Sequence, residues 1–392
     1  MEDRVCETTL ATSFPTGTVP GSDRLVRQLT TGPGTCYPLY YYIPTITTDG
    51  RQLVYHRAHD GEVQLHRLDL ATGESVTLTK ADAPDAHWRN WCTDPGSGVL
   101  DHRSVLDRTG NAVLYFDGPD VHRVGLDGDG DEHLFSIGSD RRAIGQNCVT
   151  PDGEWFVYIH HDRALFDRMT AGDGVTRHES RGTVLAAYCL RTGEHRELLR
   201  INSPIHHVLP YDDRRLIFCH PATENGMLLT DIDGGWYTHM RTQDASGGTV
   251  CHHLATAAGI TYEVLGGDGG LVGGIWDPST HASREFPLPD HFGYTHTGYD
   301  PAGQCFFYET AGDHGHGIHW LVEHDPDGSD EWQPIVNDWP TYGGGQKAHF
   351  HPQITPDHRW MLVTAGDQKT ETNQIYLVDV ADLEPTAGLD WA

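Results

Sequence analysis

Lysine is almost absent from this chain. It occurs three times in 392 residues, as Lys80, Lys347 and Lys369. Lysine and arginine together number 27 against 56 Asp and Glu, which leaves a formal net charge of −29. Because nucleic acids and anionic membranes are bound through clustered cations, this balance argues against both as partners.

Long apolar segments and paired cysteines are also missing. The first residues, MEDRVCETTL, contain no apolar h-region, and no run of about 18 apolar residues predicts a membrane-spanning helix. The eight cysteines are widely spaced without a C-x-x-C pair, which favours buried thiols over a disulfide framework or a thiolate metal site. We therefore expect a cytoplasmic protein without a signal peptide.

A repeated unit is present instead. An apolar strand is followed by a turn of the P-D-G or T-D-G type, an alternating strand, a polar loop and two further strands. Clear copies begin near residues 45, 104 and 147, and weaker copies read VLPYDDRRLIFCH, HLATAAGITYEVL, TGYDPAGQCFFYE and QITPDHRWMLVTAG. Helical periodicity of useful length is not evident, whereas period-two alternation with Asp-Gly turns indicates β-hairpins.

Seven copies of a four-stranded unit predict an all-β fold, a seven-bladed β-propeller. The last copy lacks its fourth strand. Residues 23–31, DRLVRQLTT, are expected to supply that strand and to close the ring, which removes the open edges. The predicted organisation is an N-terminal extension, residues 1–21, followed by one propeller domain, residues 22–392.

Polar residues recur at one position of the repeat. The first strand of each blade lines the central channel of a propeller, so equivalent positions should meet at one mouth. The position lies five residues before the turn residue that aligns with the proline of the P-D-G turn. In blade four, one inserted residue is allowed in PYDD. Blades two to seven then contribute His102, Gln146, His206, His252, His296 and His351. Blade one breaks the series with Ile43, which is flanked by Tyr41 and Tyr42.

Further polar residues are expected around this mouth. Arg89, in the segment AHWRNW, and His220, in a loop between second and third strands, should lie on the same face. An isolated histidine on a strand is more often a satisfied core or surface residue, and shared ancestry of repeats could also produce a ring. The other positions of the repeat show no such series, which favours a binding site.

The densest cluster is GGGQKAHFHP, which contains Gln346, His349 and His351. In an extended strand, residues 349 and 351 point to the same side. With the Gln346 amide oxygen and His296 from the neighbouring blade, they form a candidate site for one divalent cation. Nitrogen and oxygen donors without thiolate suit manganese, iron, nickel or zinc.

These residues resemble the oligogalacturonate lyases, a family of seven-bladed propellers. The family's metal motif Q-x-x-H-x-H-P is matched by Gln346, His349 and His351 followed by Pro352. The resemblance also implies that His296 is a metal ligand. It further implies that His252, within the Cys-His-His triplet that matches a T-H-E motif, is the catalytic base. The F-C-H triplet and the D-x-x-T-G-E turn of this chain also have counterparts in that family.

The activity implied by the resemblance is β-elimination at a uronate within an oligosaccharide. A divalent metal, manganese first and zinc, nickel, iron or calcium as alternatives, would hold the carboxylate while His252 removes the proton. His206 and Arg103 are further catalytic candidates. The family arginine after F-C-H is absent, since Gly226 stands there, and Arg103 and Arg89 are possible substitutes. Residues expected to line the substrate are His102, Gln146, His220, Arg89 and Tyr41.

Other interpretations stay open at this point. The partner is expected to be a uronate-containing oligosaccharide, and the protein a monomer or homodimer. A non-catalytic scaffold propeller resembling TolB is the leading alternative, and it predicts no bound metal. A propeller-linked hydrolase is disfavoured because no G-x-S-x-G motif occurs. A third interpretation keeps the fold and the metal but changes the uronate sugar, for example to glucuronate in rhamnogalacturonan or ulvan fragments.

Overall fold

The fold was analysed in a computed structural model. It describes residues 7–84, 96–107, 109–171, 182–201, 205, 207–220, 226–242, 248–257, 259–265, 270–289, 292–293, 296–299, 304–310, 317–325 and 330–387. The strands are numbered in chain order. The chain starts with two short strands that belong to the last blade, β1 (Thr16–Thr18) and β2 (Leu25–Gln28).

The next three sheets follow in sequence order as blades one to three. Blade one contains β3 (Thr35–Tyr37), β4 (Gln52–His59), β5 (Glu62–Asp69) and β6 (Ser75–Thr77), with β7 (Ser97–Gly98) parallel to β5. Blade two contains β8 (Val105–Leu106), β9 (Ala112–Asp117), β10 (Asp120–Gly125) and β11 (Glu132–Ser136). Blade three contains β12 (Arg141–Ala143), β13 (Cys148–Val149), β14 (Trp155–Asp162), β15 (Thr183–Cys189) and β16 (His195–Ile201).

The remaining four sheets complete the ring. Blade four contains β17 (Val208–Pro210), β18 (Arg215–His220), β19 (Gly226–Asp231) and β20 (Thr238–Thr242). Blade five contains β21 (Thr249–Thr256), β22 (Gly259–Leu265), β23 (Leu271–Asp277) and β24 (Ala282–Pro287). Blade six contains β25 (Thr297–Tyr299), β26 (Phe306–Thr310), β27 (Gly317–Glu323) and β28 (Glu331–Asn337). Blade seven adds β29 (Gln353–Ile354), β30 (Trp360–Asp367) and β31 (Thr372–Asp379) to the two N-terminal strands.

The predicted seven-bladed all-β propeller is therefore confirmed, including its closure. Strand β2 pairs antiparallel with β31, with Val26 opposite Val378, so the N-terminus supplies the missing fourth strand. Strand β1 pairs with β2 as a fifth strand, although residues 16–18 precede the predicted domain start at residue 22. Phe14 also packs into the core, beside Leu53.

The core lies between the blades. A central strand of a blade is covered on both faces by its neighbours, so consecutive residues are buried rather than alternate ones. In β18, for example, Leu216, Ile217, Phe218 and Cys219 all have 0% exposure. The apolar alternation in the sequence therefore marks the strands, while the stacking of the blades buries both of their faces.

The first strands are interrupted near one end of the channel. In blade three, β12 and β13 pair with the same neighbour, β14, and leave residues 144–147 between them. In blade five, the pairing of β21 shifts register between Cys251 and Leu254. His102, His252 and His351 adopt positive φ angles of 57°, 50° and 46°. Such left-handed backbone is uncommon for residues other than glycine, and it recurs here at three of the predicted site histidines.

One α-helix, α1 (Arg163–Ala171), follows β14 in the described part of the chain. The sequence predicted only a polar loop there, because nine residues are too few for a visible helical period. Phe166, at 0% exposure, packs it against blade three. No helix among the described residues is long and apolar enough to cross a membrane.

Closure by β2 predicts a large effect of one substitution. Val26→Asp places an unpaired carboxylate in the cluster that Val26 shares with Val378 and Ile318. An uncompensated buried charge costs about 3–5 kcal/mol, so we expect a loss of stability of that size in urea unfolding. The exposed Thr18→Asp, which adds the same charge on β1, should change stability by less than about 0.5 kcal/mol. Equal effects of the two changes would contradict this role of β2.

Candidate functional site

Histidines from several blades meet at the interrupted ends of the first strands. The ring centroids of His252 and His296 are 4.7 Å apart, those of His296 and His351 are 4.9 Å apart, and those of His351 and His102 are 5.6 Å apart. The structure thus brings together side chains from blades two, five, six and seven. Each of these four histidines is buried.

Blade one contributes tyrosines to this cluster instead of a histidine. The chain between β3 and β4 carries Tyr40 and Tyr41 into the middle of the ring. Tyr40 contacts the rings of His102, His207 and His351, at centroid distances of 5.3, 5.7 and 5.0 Å. Tyr41 stacks on His296 at 4.5 Å. The aromatic rings therefore fill the axis and fix the orientation of the imidazoles.

A cavity lies towards the opposite end of the channel. It is lined by turn residues such as Thr47 and Asp107 together with Tyr42 and Leu254. None of the predicted metal ligands or the predicted base lines it. The predicted metal ligands and His252 therefore lie outside this cavity, whereas Tyr41 lines an adjoining one.

Glu309 organises the first part of the cluster. Its Oε2 lies 2.8 Å from Nδ1 of His296, and its Oε1 lies 3.3 Å from Nδ1 of His349 and accepts a hydrogen bond from the Phe350 amide. Burial opposes the charge of this carboxyl, yet His296 and His349 hold its pKa well below the usual range. His296, Glu309 and His349 each offer one ligand atom, and these atoms lie within 4.8 Å of one another.

The donor set fits a divalent cation. Among the described residues, no group hydrogen-bonds to Nε2 of His296 or Nδ1 of His351, although both atoms are buried. Burial lowers the pKa of His296 to about 3 and that of His351 well below its usual value, so both rings are neutral, as metal binding requires. Buried nitrogens without partners are costly unless a ligand satisfies them.

Gln346 and the adjacent lysine are held in a short 3-10 helix, Gly345–Ala348. Oε1 of Gln346 lies 2.7 Å from Nε2 of His351, so these two predicted ligands contact each other directly. The Nζ of Lys347 lies 3.2 Å from Oδ2 of Asp101, which pairs this buried cation with a carboxylate outside the group. The helix thereby separates the amide oxygen from the positive charge.

His252 is paired with a second buried carboxylate. Nδ1 of His252 contacts Oε1 of Glu263, and the Tyr308 hydroxyl donates to Oε2 of Glu263 at 2.8 Å. Burial lowers the pKa of His252, but the charges of Cys251 and Glu263 outweigh it and raise the value to about 9.

The two carboxylates are the functional residues that sequence reasoning missed. Glu263 in β22 and Glu309 in β26 both follow a tyrosine, in I-T-Y-E-V and F-F-Y-E-T. Both lie on the second strand of their blade beside the histidine of the first strand. A Tyr-Glu pair on the second strand, present in two copies of the repeat, is the sequence signal for these carboxylates.

Blade four contributes His207 to the cluster. The Cys219 amide donates to the His207 carbonyl at 3.2 Å, as the Glu309 amide does to the His296 carbonyl at 2.9 Å. His207 therefore occupies the place equivalent to His296, and the inserted residue allowed in PYDD is not needed. His206, the predicted member, lies outside the described residues, and so do Arg89 and the side chain of His220.

Three further predicted residues, Arg103, His102 and Gln146, are buried. Arg103 is buried, and its guanidinium donates to the carbonyls of Asp101 at 2.6 Å and Ala143 at 3.2 Å, which ties blade two to blade three. Nδ1 of His102 lies 3.1 Å from the Leu39 carbonyl. The fully buried Gln146 amide hydrogen-bonds to no described residue. The geometry gives Arg103 a role in blade packing.

Comparison with known proteins finds matches in structure alone. No protein-family model and no curated protein matches the sequence. Two solved structures that match are an oligogalacturonate lyase in complex with manganese and an oligogalacturonate lyase from Vibrio parahaemolyticus. Their TM-scores are 0.76 and 0.77 at 21% and 18% identity, over 94% and 96% of this chain and 96% and 99% of theirs.

A prolyl endopeptidase matches with a TM-score of 0.55 at 13% identity, over 90% of this chain but 51% of its own. At these identities the comparisons establish the fold. The fold of the oligogalacturonate lyases, which the sequence resemblance implied, is thereby confirmed.

The position of Glu309 leads to a prediction about metal binding. Glu309→Gln removes the charge that orients His296 and His349, and loss of such a group typically weakens metal affinity about 10–100-fold. Equilibrium dialysis against Mn²⁺ with elemental analysis would measure the change. Glu323→Gln, at an exposed carboxylate that ends β27, is the matched control and should bind as the unaltered protein does. Unchanged affinity in Glu309→Gln would exclude this group as the metal site.

Proposed function

We propose that the protein is a metal-dependent lyase that cleaves uronate-containing oligosaccharides by β-elimination. One observation carries the proposal. The His252–Glu263 pair lies directly beside the group of His296, Glu309 and His349 on the next blade, with the rings of His252 and His296 4.7 Å apart. A base next to a cation site is the arrangement that elimination from a carboxylated sugar requires.

The residues assigned to the ion are His296, His349, His351 and Gln346, with Glu309 holding two of the imidazoles. The metal is proposed to be Mn²⁺, with zinc, nickel, iron or calcium as alternatives. When bound, such a cation offsets the charge of the uronate carboxylate and stabilises the carbanionic charge that develops beside it. Because like charges disfavour each other, a cation there also lowers the pKa of His252 towards neutrality.

Proton transfer from the substrate is assigned to side chains of the protein. Nε2 of His252 removes the proton from C5 of the uronate while the bond from C4 to the glycosidic oxygen breaks. Glu263 accepts the Nδ1 proton in a hydrogen bond and stabilises the imidazolium, and Tyr308 holds Glu263 in place.

Tyr41 is assigned as the acid that protonates the leaving O4. Its hydroxyl hydrogen-bonds to none of the described residues, and its ring lies 5.8 Å from that of His252. Burial raises the pKa of Tyr41 well above its usual value, so the hydroxyl retains its proton.

The net charge and the missing arginine limit the range of substrates. The electrostatic field of a protein with a net charge of −29 repels polyanions, so a short oligomer that reaches the cation site is favoured over a long polymer. Gly226, at the start of β19, provides no cation where the family has its arginine. Uronates other than galacturonate, such as glucuronate in rhamnogalacturonan or ulvan fragments, therefore belong in the same proposal. A cytoplasmic location and a monomer or homodimer are part of it.

The proposal is tested by incubating the Mn²⁺-loaded protein with a panel of uronate oligosaccharides. We expect ultraviolet absorbance of a 4,5-unsaturated product with at least one member, and its loss after chelator treatment. A non-catalytic TolB-like scaffold predicts neither bound metal nor product. Absence of product from the whole panel in protein that contains metal would overturn the proposed activity.

His252→Ala should lower the rate of product formation about 10²–10⁴-fold, since general-base catalysis contributes that much. Metal content should stay close to that of the unaltered protein, because the proposed ligands are intact. His59→Ala, an exposed histidine on β4, serves as the control. A His252→Ala protein with full activity would refute the assignment of the base.

Tyr41→Phe should lower kcat with little change in KM, because the hydroxyl acts only as O4 departs. The matched control is Tyr42→Phe, whose hydroxyl donates to the Val208 carbonyl at 3.4 Å. The loss of kcat in Tyr41→Phe should be smaller for substrates whose leaving group has a low pKa, because such a leaving group departs without being protonated. An equal loss in both variants would indicate a packing role for Tyr41.

A further inference from the structure

A thiol lies next to the proposed base. His207, Cys251 and His252 each offer one ligand atom, and these atoms all lie within 4.8 Å of one another. The ring centroids of His207 and His252 are 5.7 Å apart. This group joins blades four and five and shares no residue with the group of His296, Glu309 and His349.

The donors of the two groups differ in chemistry. The His296 group offers nitrogen and carboxylate oxygen, which suit Mn²⁺. The second group contains a cysteine, and thiolate selects Zn²⁺ or Cu⁺ over Mn²⁺. Cys251 stands where the resemblance to the T-H-E motif places a threonine, so the sulfur is a feature of this chain.

The surroundings of the second group are those of a metal site. Glu263 contacts Nδ1 of His252, and carboxylate–histidine pairs of this kind orient zinc ligands. The Sγ of Cys219 lies 3.8 Å from the Sγ of Cys251. Two thiolates bound to one tetrahedral zinc at about 2.3 Å are separated by about 3.8 Å. Cys219 thus adds a second thiol from blade four beside the group.

We propose that His207, Cys251 and His252 form a second metal site, which is selective for a thiophilic cation such as Zn²⁺. A cation held by His252 would occupy the imidazole that is assigned to remove the substrate proton. Zinc would therefore inhibit the manganese-loaded enzyme. The inhibition rests on the proposed function, whereas the binding site does not.

Titration with Co²⁺ tests the site without reference to activity, because a cobalt–thiolate bond gives an intense charge-transfer band in the near ultraviolet. The unaltered protein should bind two equivalents and show the band. Cys251→Ser and the more conservative Cys251→Thr should bind one equivalent without it. Cys189→Ser, a buried cysteine in blade three, should keep the band, and so should Glu309→Gln. Absence of the band in the folded unaltered protein, or its persistence in both Cys251 variants, would overturn the proposal.

A second measurement separates the site from the activity. In Mn²⁺-loaded protein, the Zn²⁺ concentration that halves the rate of product formation should be at least about tenfold higher for Cys251→Thr than for the unaltered protein. Each rate is normalised to that of the same protein without zinc. Equal zinc sensitivity in both proteins would overturn the inhibitory role of the site. A cobalt–thiolate band in a protein that yields no product from any uronate would contradict the proposed function and leave the metal site intact.

Discussion

The pairing of β2 with β31 is the constraint on which the rest of the structure depends. A ring of seven sheets places all first strands around one axis only if the last sheet is completed by the N-terminus. Histidines from sequence positions as far apart as His102 and His351 then lie 5.6 Å apart between ring centroids. The site is made of residues that no local segment could bring together.

Charge is distributed unevenly between the surface and this axis. Most acidic side chains in the described part of the chain are not buried, but Glu263 and Glu309 have 0% exposure. Buried carboxylates are tolerated when they are paired, and each contacts at least one imidazole. The same pairs orient the rings, so one electrostatic requirement determines both the stability of the axis and the direction in which the nitrogens point.

Two neighbouring blades each contain a buried histidine–carboxylate pair. Blade six combines His296 with Glu309, and blade five combines His252 with Glu263. The two pairs differ in the residues that lie next to them. Blade seven adds His349 and His351 to the first pair, whereas Cys251 and His207 lie beside the second. A hard and a thiophilic donor set therefore lie side by side around the same tyrosines.

The sequence by itself determined the propeller, its closure by residues 23–31 and the histidines that begin the strands, because turn residues and period-two alternation are local properties. It also indicated the Gln346, His349 and His351 cluster, where the ligands are close in the chain. Only the tertiary structure revealed Glu263 and Glu309, the place of His207, and the packing role of Arg103. These depend on contacts between strands and between blades, and on burial, which no spacing along one strand can express.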